Sequence, residues 1–516
     1  MTTPSFVRVF VLGTLFALCL PRSVSAGSRT LKAGQVLGIS EDLVLSGDDV
    51  LEVAGTPEKH CRLDANAQQI RTTADWKGQI RIRYCEFRSL GSAKSPALNA
   101  TAHGSGVISI EDSEFHACGA IHLANEDEST TIFRNNILHA NSMVPVTNLP
   151  SESPPGFRAT GRSPARKIFQ GNQVRRSVVL FDSTRNWLIG GDKPEDANLF
   201  IGMRASLSLH HVDDAVVRGN YIHTEIPSYR WSQVHALAVV SPCANLVVEH
   251  NVIRHGQWVV RGVTGEFRYN LVLDADAHNF IVGPTGRCHI HHNIFARYCT
   301  VDPNLNSTIA VIYKAEDVQI YNNTFDAGGK SIARPWHVPA IEVGAAAFLA
   351  SLRNNAFVNH PTRFSSGTAI IRPGFTEKKS SPAPARLGYA DYNLFHNPDA
   401  AEKDHYALSV EGKTERVDDG FARHDVPSGG ARNADVEPKF TGPIPDRFSY
   451  RDEDILARKV TVTGILAHYR AAYAPAADSP LLKAGDPADG PGSYIGAVGG
   501  GKETPKDHFG RPAVVR

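Results

Sequence analysis

One short unit recurs along the middle of this 516-residue chain and constrains its fold more than any other feature. In residues 205–357 an apolar residue stands three positions before an asparagine, and another apolar residue stands two positions after it. Successive asparagines are 31, 19, 23, 30 and 32 residues apart. They are Asn220, Asn251, Asn270, Asn293, Asn323 and Asn355. A unit that returns every ~20 to 30 residues is typical of a solenoid, in which each repeat packs only on its neighbours.

The residues around each asparagine indicate which kind of solenoid this is. Apolar and polar positions alternate before the asparagine, as in a β-strand with one buried face. Most intervals are too short for a strand and a well-formed helix. Asparagine tolerates the left-handed conformation and bonds to nearby backbone, so it suits a tight corner, and stacked corners would align the side-chain amides in a ladder. We therefore predict an all-β parallel β-helix, with a β-sandwich that has asparagine in ordinary turns as the alternative.

These stacked units resemble the right-handed parallel β-helix of the pectate-lyase-like superfamily. The resemblance covers roughly residues 81–395. It implies the right-handed path of the coils, which the spacing alone does not determine. The repeated asparagine units that carry the resemblance indicate the fold and not the reaction, because one fold supports many different chemistries.

The sequence divides into four segments. Residues 1–26 have the basic residue, apolar run and small-residue cleavage site of a secretory signal peptide. A lipoprotein signal, in which Cys19 would carry the lipid, is the alternative. Residues 27–75 are predicted to form an N-terminal cap and the first coil, and residues 76–395 the β-helix. Residues 396–516 lose the repeat, and we predict a loop-rich segment that closes the C-terminal end.

Composition limits the partners. The chain has 54 basic and 53 acidic residues and a formal net charge of +1, so it has no basic excess for nucleic acid or for an anionic membrane surface. Beyond the signal peptide we predict no membrane span. Six cysteines follow it, an even number that permits disulfides in an exported chain, and their spacing does not indicate zinc. We predict a monomer that is secreted, periplasmic or at the cell surface.

A column of charged and aromatic residues is predicted on the outside of the middle coils. These residues stand two positions before each asparagine, so their side chains would point outward and stack from coil to coil. The column is Arg218, Glu249, Arg268, His291, Tyr321 and Arg353. One interpretation is a solvated sheet face with weak cross-strand pairs. The other is a surface that binds an anionic chain, with Arg268 and His291 as substrate-binding residues.

The loops that follow the asparagine corners carry further candidate substrate-binding residues. Aromatic rings cover the flat faces of sugars, and arginine pairs with uronate carboxylates in bidentate fashion. The candidates of these types are Tyr229, Arg230, Trp231, Arg297 and Trp336. Because the loops follow corresponding corners, the fold would bring them to one side of the solenoid. We predict an anionic extracellular polysaccharide as the partner.

Elimination from a uronate needs three chemical roles. A positive group or Ca²⁺ neutralises the carboxylate, a base removes the proton from the neighbouring carbon, and an acid protonates the leaving oxygen. The candidate catalytic residues are His235, Arg261, His278, Tyr313 and Lys314. Asp274 and Asp276 could hold Ca²⁺ through their oxygens, or they could simply cap a turn. Elimination by a polysaccharide lyase is the leading prediction.

Two other functions stay open. A glycoside hydrolase needs two carboxylates ~5 to 10 Å apart, and Asp213 and Asp214 followed by His255 and Gly256 partly match the β-helix glycosidases that degrade pectin. The Asn-Thr-Asp and Arg-Ile-Lys elements of those enzymes are absent from the sequence, which places hydrolysis second. A non-catalytic carbohydrate-binding or surface solenoid is an alternative of a different class.

Overall fold

Three long sheets run side by side through the protein, and the chain visits them in turn. Consecutive strands within a sheet are three apart in the chain, so each coil contributes one strand to every sheet. The structure is a computed structural model, and it describes residues 27–139, 156–202, 205–225, 235–240, 242–255, 257–261, 263–274, 279–282, 287–297, 309–312, 315–328, 340–344, 347–359, 371–373, 386–396, 407–410, 413–416 and 432–499. The predicted all-β parallel β-helix is confirmed, and the β-sandwich is excluded.

Sheet A is parallel throughout except for its last pair of strands, β42 and β43, which are antiparallel. Its strands are β3 (Leu43–Leu45), β6 (Ile70–Thr72), β9 (Leu98–Ala102), β12 (Ile121–Asn125), β15 (Phe157–Gly161), β18 (Val179–Arg185), β21 (Ala205–Asp213), β24 (His235–Val240), β27 (Gln257–Arg261), β30 (Asn279–Val282), β33 (Ile309–Ile312), β36 (Ile341–Val343), β39 (Ile371–Pro373), β42 (Ala407–Val410) and β43 (Lys413–Arg416).

Sheet B carries the strands that precede each asparagine corner. They are β1 (Arg29–Lys32), β4 (Val50–Ala54), β7 (Gln79–Arg83), β10 (Val107–Glu111), β13 (Thr130–Arg134), β16 (Lys167–Gln170), β19 (Trp187–Gly190), β22 (Val216–Arg218), β25 (Cys243–Glu249), β28 (Val263–Arg268), β31 (Cys288–His291), β34 (Val318–Tyr321), β37 (Phe348–Arg353) and β40 (Arg386–Asp391).

Sheet C follows the asparagine corners. Its strands are β2 (Val36–Ile39), β5 (Cys61–Ala65), β8 (Cys85–Arg88), β11 (Glu114–His116), β14 (Ile137–His139), β17 (Gln173–Arg175), β20 (Leu199–Gly202), β23 (Tyr221–Thr224), β26 (Val252–Arg254), β29 (Leu271–Leu273), β32 (Ile294–Ala296), β35 (Thr324–Asp326), β38 (Ala356–Val358) and β41 (Leu394–His396). Short 3₁₀ turns occur at Pro194–Asp196 and Pro487–Asp489.

An asparagine ladder lines the corner between sheets B and C. Each side-chain amide nitrogen donates to the side-chain oxygen of the next coil at 2.9 to 3.3 Å. Its members are Asn136, Asn172, Asn198, Asn220, Asn251, Asn270, Asn293, Asn323, Asn355, Asn393 and Asn433. The predicted ladder is confirmed, and beyond the six asparagines of residues 205–357 it includes Asn136, Asn172, Asn198, Asn393 and Asn433.

The left-handed conformation at these corners falls one residue earlier than we expected. His250, Tyr269 and His292 have φ angles of 54°, 55° and 56°, and each directly precedes a ladder asparagine. The preceding residue therefore turns the chain, which leaves the asparagine side chain free to point along the stack. Expecting the ladder asparagine itself to be left-handed was wrong.

Stacked phenylalanines fill part of the interior. Phe295 and Phe325 stack with their ring centroids 4.8 Å apart, and Phe325 and Phe357 stack at 4.9 Å. Phe87 and Phe115 make the same contact in the N-terminal coils at 4.3 Å. Inward residues at equal positions of successive coils thus meet directly, because the strands are parallel and in register.

The first described residues already belong to the solenoid. Residues 27–75, predicted as a cap with the first coil, contribute β1 to β6, which are two strands of each sheet. The structure describes Cys61, Cys85, Cys118, Cys243 and Cys288 as free, buried thiols, while Cys299 lies outside the described residues. Burial raises the pKa of the Cys118 thiol to about 11, which makes it a poor nucleophile.

Within the C-terminal segment, Asn433 and Ala434 continue onto the last coil, and two later helices lie along the side of the solenoid. The described part of this segment, residues 432–499, contains α1 (Asp452–Leu456) and α2 (Val462–Ala472). In α2, Ile465 and Tyr469 share a buried cluster with Tyr221, Leu271 and Ile294 of sheet C. Sheet C is apolar on its outer face in these coils, so a second layer can bury it. No helix among the described residues is long and apolar enough to cross a bilayer.

Candidate functional site

The predicted catalytic residues map to four consecutive strands of sheet A. His235 is the first residue of β24 and Arg261 is the last residue of β27. The other three lie outside the described residues. His278 directly precedes β30, whereas Tyr313 and then Lys314 follow the end of β33. One sheet therefore gathers chain segments that are far apart in the sequence.

The register of sheet A separates these positions into two groups. Arg261 pairs with Val282, which pairs with Ile312 at the end of β33. Arg261 and the end of β33, which precedes Lys314 in the sequence, therefore lie at the C-terminal ends of their strands. They are two coils or ~10 Å apart. His235 lies at the opposite, N-terminal ends of the strands, because it begins a six-residue strand that spans ~16 to 20 Å. Arg261 and Ile312 thus lie at the same ends of their strands, and His235 lies at the opposite end of β24.

Arg261 takes a register position in the outward row of sheet A. In β21, Leu209 is buried in the core, whereas His210 stands in the outward row. His210 pairs with Val240, and the position after Val260 in β27 continues the same row. This position is Arg261. The outer face of sheet A is thus the surface on which the strand-borne candidates could meet a substrate.

A depression of about 290 Å³ lies on the same face of sheet A, towards its N-terminal coils. Asn99, His122 and Arg158 form one row across β9, β12 and β15, and Thr101 and Thr160 belong to the next. Burial lowers the pKa of His122 and the nearby Arg158 adds to this, which favours a neutral ring. These residues were not predicted from the sequence, although polar side chains at alternate positions of the strands were the available signal.

Arg158 is the only cation in the lining of this depression, and it has one carboxylate partner. Its Nη2 donates to Asp182 Oδ2 at 2.5 Å. Asp182 also lies 4.0 Å from the Nδ1 atom of His211. Arg158 remains 42% exposed, so the guanidinium stays open to solvent on its other side. An arginine held in place by one acid and open on the other side can pair with an incoming anion.

The middle of the predicted outward column on sheet B is buried, at Glu249, Arg268 and His291, and the other three members are partly buried. Arg268 is 6% exposed, and its guanidinium donates to Glu249 and Glu266, both at 2.6 Å. Arg218 pairs with the other oxygen of Glu249. Burial alone would raise the pKa of Glu249, but Arg268 and Arg218 outweigh it and hold the pKa below its usual range. The prediction of an exposed Arg268 is wrong, because its charge is used inside a closed ion-pair network.

His291 belongs to the same buried face. Its side chain is 2% exposed, its Nδ1 lies 2.7 Å from Nδ1 of His292, and its ring stacks on Tyr321 at 4.8 Å. Burial lowers the pKa of His291 well below its usual value, and the neighbouring His292 and Arg268 lower it further. A neutral, enclosed imidazole presents no surface to a polymer, so the expected exposure of His291 is also wrong.

The two predicted metal ligands differ in what the structure shows. Asp274 is buried, and its Oδ1 accepts from Arg297 Nε at 2.9 Å while its Oδ2 lies 3.6 Å from Arg254 Nε. Two guanidinium groups thus neutralise this carboxylate. Asp276 lies outside the described residues, and within them no group of three or more possible ligands occurs. Calcium binding stays a prediction, and Arg297, predicted to bind substrate, is here an ion-pair partner.

A further polar cluster joins sheet C to the C-terminal segment. The Tyr221 hydroxyl donates to Asp452 Oδ1 at 2.8 Å, and His223 Nδ1 lies 3.0 Å from Asp452 Oδ2. Burial opposes ionisation of Asp452, but the bonds from His223 and Tyr221 keep its pKa below the usual value. Arg254 lies over the ring of Phe448 at 4.4 Å. These contacts fasten α1 to the sheet.

The aspartate pair considered for hydrolysis is engaged in surface ion pairs. Asp213 pairs with Arg162, and Asp214 accepts from Arg185 at 2.9 Å and from Asn245 at 3.0 Å. Each carboxylate is thus held by its own arginine at the corner between sheets A and B. The remaining predicted substrate-binding residues, Tyr229, Arg230, Trp231 and Trp336, lie outside the described residues.

Comparisons with known proteins find matches among solved structures. No family model and no curated protein matches it. The periplasmic alginate epimerase AlgG is 11% identical, with 73% of this chain and 75% of that chain covered and a TM-score of 0.36. The PL6 family polysaccharide lyase Pedsa3628 from Pseudopedobacter saltans is 11% identical, with 80% and 90% covered and a TM-score of 0.25.

A third similar structure is the catalytic domain of a GH87 α-1,3-glucanase in complex with nigerose. It is 10% identical, with 80% of this chain and 63% of that chain covered and a TM-score of 0.31. These three proteins are an epimerase, a lyase and a glucanase. At identities and TM-scores this low, the likeness carries no argument about the chemistry of this chain.

Proposed function

We propose that the protein binds an extracellular uronate-containing polysaccharide along the outer face of sheet A and cleaves it by β-elimination. One observation carries the proposal. Arg261 lies in an outward row of sheet A, at the end of β27. The end of β33, which precedes Lys314 in the sequence, occupies the same row. A cation that neutralises the carboxylate and an amine that removes the adjacent proton need such proximity.

The roles follow from the charge chemistry of the side chains. Arg261 is assigned to the substrate carboxylate, because a guanidinium pairs with it in bidentate fashion and remains charged throughout. Lys314 or Tyr313, each of which follows β33 in the sequence, is assigned the removal of the proton and its delivery to the leaving oxygen. Asp274 is already neutralised by two arginines, so arginine and not Ca²⁺ takes the neutralising role in this proposal. His235, at the start of β24, and His278, which precedes β30 in the sequence, are assigned to substrate contacts.

The proposal includes export. An extracellular polymer is reached only if the leader in residues 1–26 directs the chain to the periplasm, the cell surface or the medium, and we propose a monomer there. Fractionation of cells that express the full chain, with N-terminal sequencing of the mature protein, tests this. Intact, uncleaved protein confined to the cytoplasm would contradict it.

The reaction is tested by ultraviolet absorbance of the unsaturated sugar that only elimination produces. The purified wild type is incubated with alginate, polygalacturonate and glycosaminoglycans. The variants Arg261→Ala and Lys314→Ala, and the sheet B control Arg83→Ala, are assayed in the same way. Loss of a positioned proton-transfer group is expected to slow the Lys314 variant by about 10²- to 10⁴-fold. Arg83 is a solvent-exposed ion-pair partner of Asp112, so its variant is expected to match the wild type.

A carbohydrate-binding protein without catalysis is the second candidate, and the depression on sheet A favours it. Its lining of one arginine, one neutral histidine and small polar side chains suits binding and contains no carboxylate pair for hydrolysis. New reducing ends without an absorbance rise would move hydrolysis to first place. Retention on immobilised polysaccharide with neither signal would leave binding as the function.

A further inference from the structure

The depression on sheet A has the features of a built site. Asn99, His122 and Arg158 pair in register across three strands, so their side chains stand side by side in one outward row. The adjacent row has only the small side chains of Thr101, Ala124 and Thr160. A row of longer polar side chains beside a row of short ones leaves a trough between them, and that trough runs along the axis of the solenoid.

The floor of this face continues towards the predicted catalytic strands. In the row of Arg158 the next positions are Leu180, Ser208 and Ala238, which pair in register from β18 to β24. Ser208 and Ala238 are short and buried. Beyond them the row enters β27, which ends at Arg261. This outward row thus extends from Arg158 to Val259, two positions before Arg261.

The distance between the two places is set by the coil repeat. The sheet order from β12 to β27 contains five steps, each of about 4.8 Å, which gives about 24 Å along the axis. An extended polysaccharide lying along the axis would need several sugar residues to reach from Arg261 to His122. A trisaccharide bound at Arg261 would not reach the depression.

The available chemistry of the depression favours an acidic sugar. Arg158 has its Nη2 on Asp182, and the described structure shows no hydrogen-bond partner for its Nη1. The guanidinium can therefore donate to a second carboxylate, while Asn99, Thr101 and Thr160 supply amide and hydroxyl groups for the sugar hydroxyls. His122 is kept neutral, so it does not compete with Arg158 for the anion.

We infer that the depression around Arg158 is a distal subsite for a uronate residue of the same polysaccharide whose cleavage is proposed at Arg261. This inference rests on the proposed function for the identity of the polymer. It makes the protein select long chains over short ones, because a chain that fills both places gains contacts that a short oligosaccharide cannot reach. Internal cleavage of the polymer is the expected mode of action.

Two variants of one ion pair test the subsite in opposite directions. Arg158→Ala removes a charge-assisted contact and is expected to raise KM for the polymer about ten-fold, with KM for a uronate trisaccharide unchanged. Asp182→Asn removes the competing negative charge and is expected to lower KM for the polymer. Arg81→Ala, an exposed arginine on sheet B, is the matched control. Loss of folding cannot produce opposite shifts from two members of the same pair.

Binding separates failure of the subsite from failure of the proposed reaction. Calorimetry with a uronate octasaccharide, and with the same octasaccharide after carboxyl reduction, is carried out on the wild type and on both variants. If no unsaturated product forms, weaker octasaccharide binding by Arg158→Ala alone still supports the subsite and refutes only elimination. Equal affinity of wild type and Arg158→Ala, or equal loss for trisaccharide and octasaccharide, overturns the subsite. Undiminished binding of the carboxyl-reduced octasaccharide overturns recognition of a uronate.

Discussion

Removing one asparagine from the ladder tests the reasoning about the corner between sheets B and C. The Asn270 side chain makes four hydrogen bonds. Its Nδ2 donates to the Val248 carbonyl at 2.9 Å and to Asn293 Oδ1 at 3.0 Å, and its Oδ1 accepts from the backbone and side-chain nitrogens of Asn251 at 3.1 and 3.0 Å. All of these groups are buried, so water cannot replace the lost partner. We expect Asn270→Ala to lower stability substantially.

The size of the effect follows from which groups lose their partner. The Asn251 side chain keeps its bonds to the Val217 and Glu249 carbonyls, and Asn293 still accepts from the Asn270 backbone. The Asn251 backbone N–H loses its acceptor, and the Val248 carbonyl loses a donor. An orphaned buried group costs about 1 to 3 kcal/mol, so the two together lower the free energy of unfolding by about 4 kcal/mol. This is a large part of the about 5 to 15 kcal/mol that stabilises a typical domain.

The measurement must resolve single coils, because a solenoid need not unfold in one step. Urea denaturation gives the loss of stability, and hydrogen exchange of the peptides around Asn251 shows where protection is lost. Asn66→Ala, at an exposed position, is expected to change stability by less than about 0.5 kcal/mol. A loss below about 1 kcal/mol for Asn270→Ala, with unchanged exchange at Asn251, would refute the ladder as a main source of stability.

Three other perturbations have expected outcomes. Lys167 is buried, and burial lowers its pKa to about 8. Between pH ~8 and ~10.4 the unfolded chain therefore binds more protons than the folded chain, and the free energy of unfolding is expected to rise with pH by up to about 3 kcal/mol. Lys167→Met is expected to lack this increase. Arg268→Met leaves Glu249 buried without its main partner and is expected to cost about 3 to 5 kcal/mol in urea denaturation. Asp452→Ala removes the bonds to Tyr221 and His223, and limited proteolysis is expected to cut residues 432–499 faster while the coils stay intact.

Each of these expectations has a control and a contrary result. Parallel pH profiles of wild type and Lys167→Met would contradict the first. Arg83→Met, in an exposed pair, is expected to cost below about 1 kcal/mol, and a loss equal to that of Arg268→Met would contradict the second. Asp454→Ala is expected to leave the contacts between α1 and sheet C intact, because Asp454 pairs with Arg451 on the surface. If it were cut as fast as Asp452→Ala, the fastening role would be wrong.

The repeat made the fold predictable, because the same physical demand returns in each coil. Asn220 and its counterparts could be found from their spacing, since each must present an amide to the next coil. Asn198 escaped detection because a longer corner with a 3₁₀ turn at Pro194–Asp196 separates it from its strand in sheet B. The continuous apolar strand Leu271–Leu273 was a local sign that both faces of sheet C are covered, and the two-residue period drew attention to one face only.

The surfaces were harder to predict than the fold. The two-residue alternation of a strand predicts that the side chains of Arg268 and His291 point away from the core. It does not predict whether another layer of the protein covers them. That depends on contacts between residues far apart in sequence, such as Tyr494 with His292 at 2.9 Å. Arg158 was missed for a related reason, because its partner Asp182 lies in the next coil and the chain between them has no shared motif.

The seam between α2 and sheet C has a consequence for biosynthesis. Chains are made from the N-terminus, so Tyr221, Leu271 and Ile294 are synthesised well before the Ile465 side chain that covers them. Until then the growing coils carry an apolar stripe on their outside, which is a surface that holding chaperones bind. Docking of α2 would then act as the signal of completion, because a chain that stops before it keeps the stripe uncovered and stays a substrate for quality control.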